Sequence, residues 1–288
     1  MVRQEKYWLK GVDQKQKENY NISGVLTQEE EGDRKMQEEA KPDTTKEMKS
    51  NLGESPNVVF SFDTTSSMMP CIQQVRQKLR DLVEMMSADI PGLKIGLIAH
   101  GDYCDGDNAV AFLDLTDDLE KIMTFINTAP NTSGGDAPEC YEYALQTARK
   151  MSWPKEGGSV VIIGDDEPHE VNPNNINWRD EVRQMLELNV KVFPMQCLFH
   201  NSREAVNAFW EEVSQISETP LLMLESFGDS ANTLEAVAYA SSGVAAYDTY
   251  KSKFATEVTS GVRACATSNL VDNQSKLEAY SKTFTKAE

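Results

Sequence analysis

No stretch of the 288-residue sequence approaches the roughly 18 consecutive apolar residues of a membrane span. Basic residues are also in short supply. Lys and Arg number 28 against 46 Asp and Glu, a formal net charge of −18. That balance argues against nucleic acid and anionic membranes as partners, because both demand basic patches. The opening segment, MVRQEKYWLKGVDQKQKENY, lacks the apolar centre of a secretory signal. The five cysteines, Cys71, Cys104, Cys140, Cys197 and Cys265, form no CxxC pair and are odd in number. Neither a zinc knuckle nor a disulfide framework is indicated, and a reducing cytosol is the expected compartment. The acidic excess serves solubility first, and it also suits a divalent cation.

What is present begins after a polar stretch. Residues 1–55 carry no sustained apolar stripe, as in QEEEGDRKMQEEAKPDTTKEMKS, and are expected to be a largely flexible arm. Tyr7 and Trp8 are its candidate anchors. From 57 onward, strand-like and helix-like segments alternate. VVFSF (58–62) reads as a buried strand, and Ile72, Val75, Leu79, Leu82, Val83 and Met86 then recur at helical spacing. LKIGLIAH (93–100) and AVAFLDL (109–115) are joined by the short loop GDYCDGDN and predict a hairpin. TDDLEKIMTFINT opens with good helix-start residues, and APECYEYALQTARKM predicts a helix with Pro138 near its first turn. SVVIIGDD, KVFPMQCL and PLLMLES predict further strands, separated by the helices WRDEVRQMLELN and REAVNAFWEEVSQI and followed by SANTLEAVAYASSG.

About six strands with helices between most of them imply an α/β fold. The expected form is a three-layer, Rossmann-like sandwich with a mainly parallel six-stranded sheet, one antiparallel strand and helices on both faces. The domain is placed at 56–245. Residues 246–288 are polar and helix-compatible, a tail that either packs as a helix or orders on a partner.

In open α/β sheets, ligands bind beyond the carboxyl ends of the strands. Three polar clusters fall there: DTTSS (63–67), NTSGGDAPE (131–139) and GDDEPH (164–169). They offer carboxylates, hydroxyls and backbone amides, a donor set that selects magnesium, calcium or manganese over softer metals. Asp63, Thr65 and Ser67 alternate, so a turn leaving the strand brings them to one point. Each cluster also has a plain structural account, since Asp, Ser and Thr are ordinary helix N-caps. Asp166 and Glu167 are expected as solvated neighbours, His169 as a surface residue, and His100 and His200 as structural histidines. The cysteines read as small buried hydrophobes. The loop GDYCDGDN lacks the twelve-residue spacing and terminal Glu of a calcium loop.

FSFDTTSSM resembles the DxSxS signature of von Willebrand factor type A (VWA) domains, with Thr65 in place of the first Ser. LKIGLIAHGDYCD, TSGGDAPE and IIGDDEPH are similar to segments of the VWA domains that accompany alpha-type protein kinases, and no kinase domain is visible here. The resemblance spans about 57–245. It implies a metal ion-dependent adhesion site that takes Mg2+, with Ca2+ or Mn2+ as alternatives, held by Asp63, Thr65 and Ser67, with Asp165 in its outer shell. Many members carry a Thr ligand in the second loop; here Asp136 stands there, with Thr132 and Ser133 just upstream, and the choice among them is open. A third carboxylate would lower the ion's electrophilicity.

The implied function is non-enzymatic: cation-dependent capture of a protein partner, in this family often through an acidic side chain of that partner. Ser66, Met68, Met69, Tyr103 and Glu139 are the expected rim. Two alternatives stand beside it. One is a structural assembly subunit with the core as scaffold. The other is a magnesium-dependent phosphatase with Asp63 as nucleophile, which Thr65 disfavours because it occupies the place of the second aspartate that such enzymes use.

Overall fold

Strand β1 (Asn57–Asp63) is almost wholly buried, and its side chains alternate between two helical layers. Val58 and Phe60 join one hydrophobic cluster, and Val59 joins the other. A strand covered on both faces must be apolar at successive positions, which is why VVF reads as a continuous run. The computed structural model describes residues 57–135, 137–198, 204–225, 229–261, 263–264 and 266–283. These fall in one unit, Asp43–Glu288, and the expected arm (1–55) lies outside the described residues.

The remaining strands are β2 (Lys94–His100), β3 (Val110–Thr116), β4 (Gly158–Gly164), β5 (Val190–Cys197) and β6 (Leu222–Leu224). They form one six-stranded sheet in the order β3-β2-β1-β4-β5-β6. Only the β2–β3 pair is antiparallel. The helices are α1 (Met69–Asp89), α2 (Leu119–Thr128), α3 (Tyr141–Arg149), α4 (Trp178–Glu187), α5 (Glu204–Ser217), α6 (Ser230–Ser241), α7 (Val244–Thr259) and α8 (Ser268–Ser281). The molecule is therefore a three-layer α/β sandwich. Residues of α1, α2, α6, α7 and α8 pack on one face of the sheet, and residues of α3, α4 and α5 on the other.

This topology fixes where a site can form. From β1 the chain crosses to β2 on one side, while β4 pairs with β1 on the other. The carboxyl ends of β1 and β4 therefore flank a reversal of strand order, where loops diverge and leave a crevice.

One segment starts later than the sequence predicts, and the C-terminal tail takes the packed helical course, the first of its two expected alternatives. Helix α3 begins at Tyr141 with Cys140 as its cap, so Pro138 lies outside its first turn. The reason is a competing backbone pairing: Glu139 N donates to Glu167 O at 2.9 Å and Glu139 bridges to Pro168. Beyond 245 the chain builds α7 and α8, whose Tyr247, Tyr250, Leu270, Leu277 and Tyr280 belong to the same cluster as β1. Each fully buried aromatic or aliphatic side chain of this kind stabilises by about 1.5–3 kcal/mol. The core thus extends past the boundary drawn from the polar composition.

Among the described residues, no helix is long and apolar enough to cross a membrane.

Candidate functional site

The turn after β1 is built by Asp63 itself. Its Oδ1 accepts from Thr65 N at 2.9 Å and from Thr65 Oγ1 at 2.6 Å, folding the chain back on the strand end. A 3-10 turn (Ser66–Met68) follows and leads into α1, with Pro70 within the first helical positions. On the neighbouring strand, Asp165 stands just past Gly164, and Ser67 Oγ donates to its Oδ1 at 3.1 Å. Thr65 Oγ1 and Ser67 Oγ lie 3.3 Å apart. A line of oxygens therefore runs Asp63, Thr65, Ser67, Asp165 across the reversal of strand order.

Each hydroxyl owns one proton, and here each gives it to a carboxylate: Thr65 to Asp63 and Ser67 to Asp165. The two hydroxyls are also within hydrogen-bond reach of each other, and either can be the donor. Both carboxylates are buried, Asp63 completely and Asp165 to within 2 %. Burial, reinforced by the like charge of Asp165, raises the Asp63 pKa to about 7 against the lowering effect of its bonds from Thr65 and Tyr141. This donor set, two carboxylates and two neutral hydroxyls, fits a hard divalent cation by its chemistry. Among the described residues, no three His, Cys, Asp or Glu side chains converge as a metal site.

Asp136 lies outside the described residues. Of the two other second-loop candidates, Thr132 spends its contacts on Thr64: its N donates to Thr64 O at 3.0 Å, and the two hydroxyls meet at 3.0 Å. Ser133 N donates to Asp105 Oδ1 at 3.1 Å, and Ser133 O accepts from Ser66 Oγ at 3.3 Å. Neither hydroxyl is hydrogen-bonded to Asp63 or Asp165 among the contacts described.

The expected rim divides. Ser66 is exposed, and Met69 and Tyr103 are half-buried, with the Tyr103 ring parallel to that of Tyr143 at 6.3 Å. Met68 is 1 % exposed and belongs to the main core, because the 3-10 turn aims it inward; it is not a rim residue. Glu139 is 6 % exposed, drawn inside by its pairing with the 167–168 segment. Among the described residues its Oε2 has no hydrogen-bond partner. Burial first, then the charges of Asp63, Asp102, Asp166 and Asp105, raise its pKa to about 10. Burial and these like charges thus favour the neutral form of Glu139.

The layer around the site holds residues whose roles the sequence did not reveal. Tyr141, in the predicted helix APECYEYALQTARKM, donates its hydroxyl to Asp63 Oδ2 at 2.6 Å. Asp102 caps the turn 103–108, reciprocating with Asp105, and its Oδ1 lies 2.8 Å from His169 Nε2. His169 is thus tied into the loop cluster instead of standing free on the surface. Its backbone N donates to Glu142 Oε2 at 3.1 Å, and Glu142 is fully buried. Asp166, expected as solvated, is 8 % exposed. His100 is buried, meets Ser61 Oγ at 3.2 Å through Nδ1 and packs edge-on against Tyr141; burial lowers its pKa to about 3, so it is a neutral structural residue. Cys140 and Cys197 are buried as expected, whereas Cys104 is exposed. His200 and Cys265 lie outside the described residues.

Comparison with known proteins places the fold more firmly than the function. No family model matches the chain. An alignment 179 positions long, which covers 57 % of this chain, is 22 % identical to alpha-protein kinase vwkA of Dictyostelium discoideum and covers 29 % of that protein. The chain therefore spans under a third of this relative's length. Among solved structures, the pilus adhesin SpaC of Lactobacillus rhamnosus GG in its open conformation superposes with a TM-score of 0.51 at 13 % identity, over 69 % of this chain and 30 % of the adhesin. A second crystal form of SpaC gives 0.51 at 12 % identity, over 69 % of this chain and 31 % of the adhesin. At such identities these structures share the fold with this chain, and the distant kinase similarity runs in the direction that the DTTSS, GGDAPE and GDDEP segments indicate.

Proposed function

We propose that the chain is a VWA-type, divalent-cation-dependent protein-binding module, an adhesion or scaffold element without catalysis of its own. The observation that carries this reading is the line of four oxygen-bearing side chains, Asp63, Thr65, Ser67 and Asp165, meeting at the reversal of strand order. These side chains would hold the ion, with magnesium favoured by two small neutral ligands and calcium or manganese as alternatives. When bound, it supplies an electrophilic position open to an acidic side chain of a protein partner. Asp136 is the proposed second-loop contributor. Distant similarity to a kinase named for this domain type supports the family assignment.

The chemistry of the site also supports binding over hydrolysis. Thr65 stands where an aspartyl phosphatase needs its second acid, and the hydroxyl donates to Asp63, not outward toward a leaving group.

Titration calorimetry with MgCl2 on the full chain, repeated on Asp63→Asn and Ser67→Ala, tests the site. Wild type should bind one equivalent, and both variants should lose most of the affinity while remaining folded. Wild-type affinity in Asp63→Asn would sink the proposal. An Asp136→Thr variant should alter metal or partner affinity, and no change in either would remove Asp136 from the set.

A further inference from the structure

Beside the candidate site lies a second concavity, a cleft of about 350 Å3 between Pro138, Glu167, Pro168 and Glu170 on one side and helices α4 and α5 on the other. Its volume is near the lower limit of the roughly 300–1,000 Å3 typical of small-molecule pockets. Pro138, Pro168, Trp178 and Phe209 make its walls. Trp178 and Phe209 are 2 % and 4 % exposed and meet edge to face at 5.0 Å, so this wall is rigid and deep. Two proline rings opposite add a stiff apolar side.

The mouth has the opposite character. Glu167, Glu170 and Glu212 line it, facing a single cation, Arg179. That guanidinium is already committed. Nε and Nη2 form a fork with the two Glu212 oxygens at 2.7 and 2.8 Å, Nη1 reaches Glu170 at 3.3 Å, and the group lies 4.2 Å over the Trp178 ring. Three carboxylates against one paired guanidinium leave the mouth negative. The neighbouring loop segments 63–69, 101–109, 131–140 and 164–172 contain no Lys or Arg.

An apolar shaft with an anionic mouth matches one kind of side chain, a long aliphatic stem with a cationic head. It repels carboxylates. The cleft lies beside the candidate cation face, because its Glu167 and Pro168 follow Asp165 by two and three residues along the chain. We propose that this cleft is a side-chain pocket for one lysine or arginine of an extended protein segment that docks across the candidate cation site. This rests on the binding-module reading for the segment's course, while the pocket's chemistry stands on its own residues. The partner then has a basic anchor as well as any acidic group directed at the ion.

The test uses 15N-labelled full chain and three capped tripeptide probes, Ac-Gly-Lys-Gly-NH2 and its norleucine and glutamate counterparts, each titrated with MgCl2 and again with EDTA. The lysine probe should shift the Trp178 indole and Ala208 amide resonances saturably in both conditions. It should bind about fivefold tighter than norleucine, the scale of a partly exposed charge contact, and glutamate should leave those resonances unmoved. Glu167→Gln/Glu170→Gln should erase the lysine advantage, and Ala208→Trp should block the pocket. The surface control Asp117→Asn/Glu120→Gln should change neither. Equal binding of norleucine and lysine, an equal loss in the surface control, or silent Trp178 and Ala208 resonances would each overturn the proposal. Magnesium titration of the same samples reports separately on Asp63 and Ser67. Loss of lysine binding with magnesium binding intact rejects the pocket alone, and the reverse rejects the cation site alone.

Discussion

Tyr141 donates its hydroxyl proton to Asp63 Oδ2 at 2.6 Å through a gap that exists only because residue 164 is glycine. A Cβ at Gly164 would sit 1.9 Å from that hydroxyl oxygen. The strand end of β4 and the first turn of α3 are thereby fitted to each other around the candidate ligand. Tyr141→Phe removes a bond that favours the ionised Asp63, so its pKa should rise further and its hold on a cation weaken. A hydrogen bond to a charged acceptor contributes about 1.5–3 kcal/mol, so magnesium affinity at pH 7 should fall by about tenfold or more. Calorimetry that finds Tyr141→Phe indistinguishable from wild type would show that the phenol has no part in tuning Asp63. Gly164→Ala should destabilise by about 1–3 kcal/mol or more through overpacking, measured by urea unfolding.

The outer edge of β6 is closed by a side chain. Asn273, fully buried on α8, donates through Nδ2 to Met223 O at 2.7 Å and accepts at Oδ1 from Met223 N at 3.1 Å. The amide reproduces one step of strand pairing and leaves that edge position unavailable to another chain. Asn273→Leu strips partners from both backbone groups, at about 1–3 kcal/mol for each group left unsatisfied. Urea unfolding should show the loss, and light scattering should show association through the opened edge. A variant that stays monomeric with wild-type stability would contradict this account.

Asp63, Thr65 and Ser67 were legible in the sequence because their information is local, whereas Asp165 came through the resemblance of IIGDDEPH to a known family. An apolar run that stops at an acid followed by alternating hydroxyls marks a strand end, and alternation of strands with helices places such ends along one edge. The layer outside those residues was not legible. Tyr141 obeys the same helical spacing as Leu145 and Ala148, so nothing along the chain separates a phenol reaching a carboxylate from a phenol in a core. Met68 was assigned to the surface by its nearness to the motif, yet the tightness of a 3-10 turn decides its direction. Glu139 and His169 were misjudged for one reason: their burial comes from contacts with segments about thirty or more residues away, Glu167–Pro168 and Asp102.

The C-terminal helices are fastened by a buried ion pair. Arg263 Nη1 lies 2.7 Å from Glu235 Oε2, and the Glu235 side chain is 2 % exposed. Burial raises the Glu235 pKa, and Arg263 pulls it back. Arg263→Met leaves the carboxylate buried without its main partner, which typically costs about 3–5 kcal/mol. Glu235→Leu/Arg263→Met removes both charges and should recover most of that loss, since the pair's desolvation cost disappears with it. Denaturant midpoints of wild type, single and double variants decide the matter. A double variant as unstable as Arg263→Met would show that the arginine acts through Glu257 and Asn232, its other contacts, and not through Glu235.

Glu139 gives the protein a pH dependence whose sign follows from its burial. Its carboxyl ionises near 4.5 in the unfolded chain and at about 10 in the folded one. The unfolded state therefore releases this proton first as pH rises. The contribution of Glu139 to stability is fully present below pH 4.5, declines through neutrality and is lost as pH passes about 10. The slope is at most about 1.4 kcal/mol per pH unit for one proton. Glu139→Gln keeps the shape of the neutral acid but has no proton to lose. In chelator the variant should match wild type near pH 4.5, exceed it at pH 7 and exceed it by more at pH 9. Urea unfolding at those three values checks the order. A wild-type advantage at pH 9 would mean that Glu139 is folded in as a carboxylate with a counter-charge, and the neutral-acid assignment would fall.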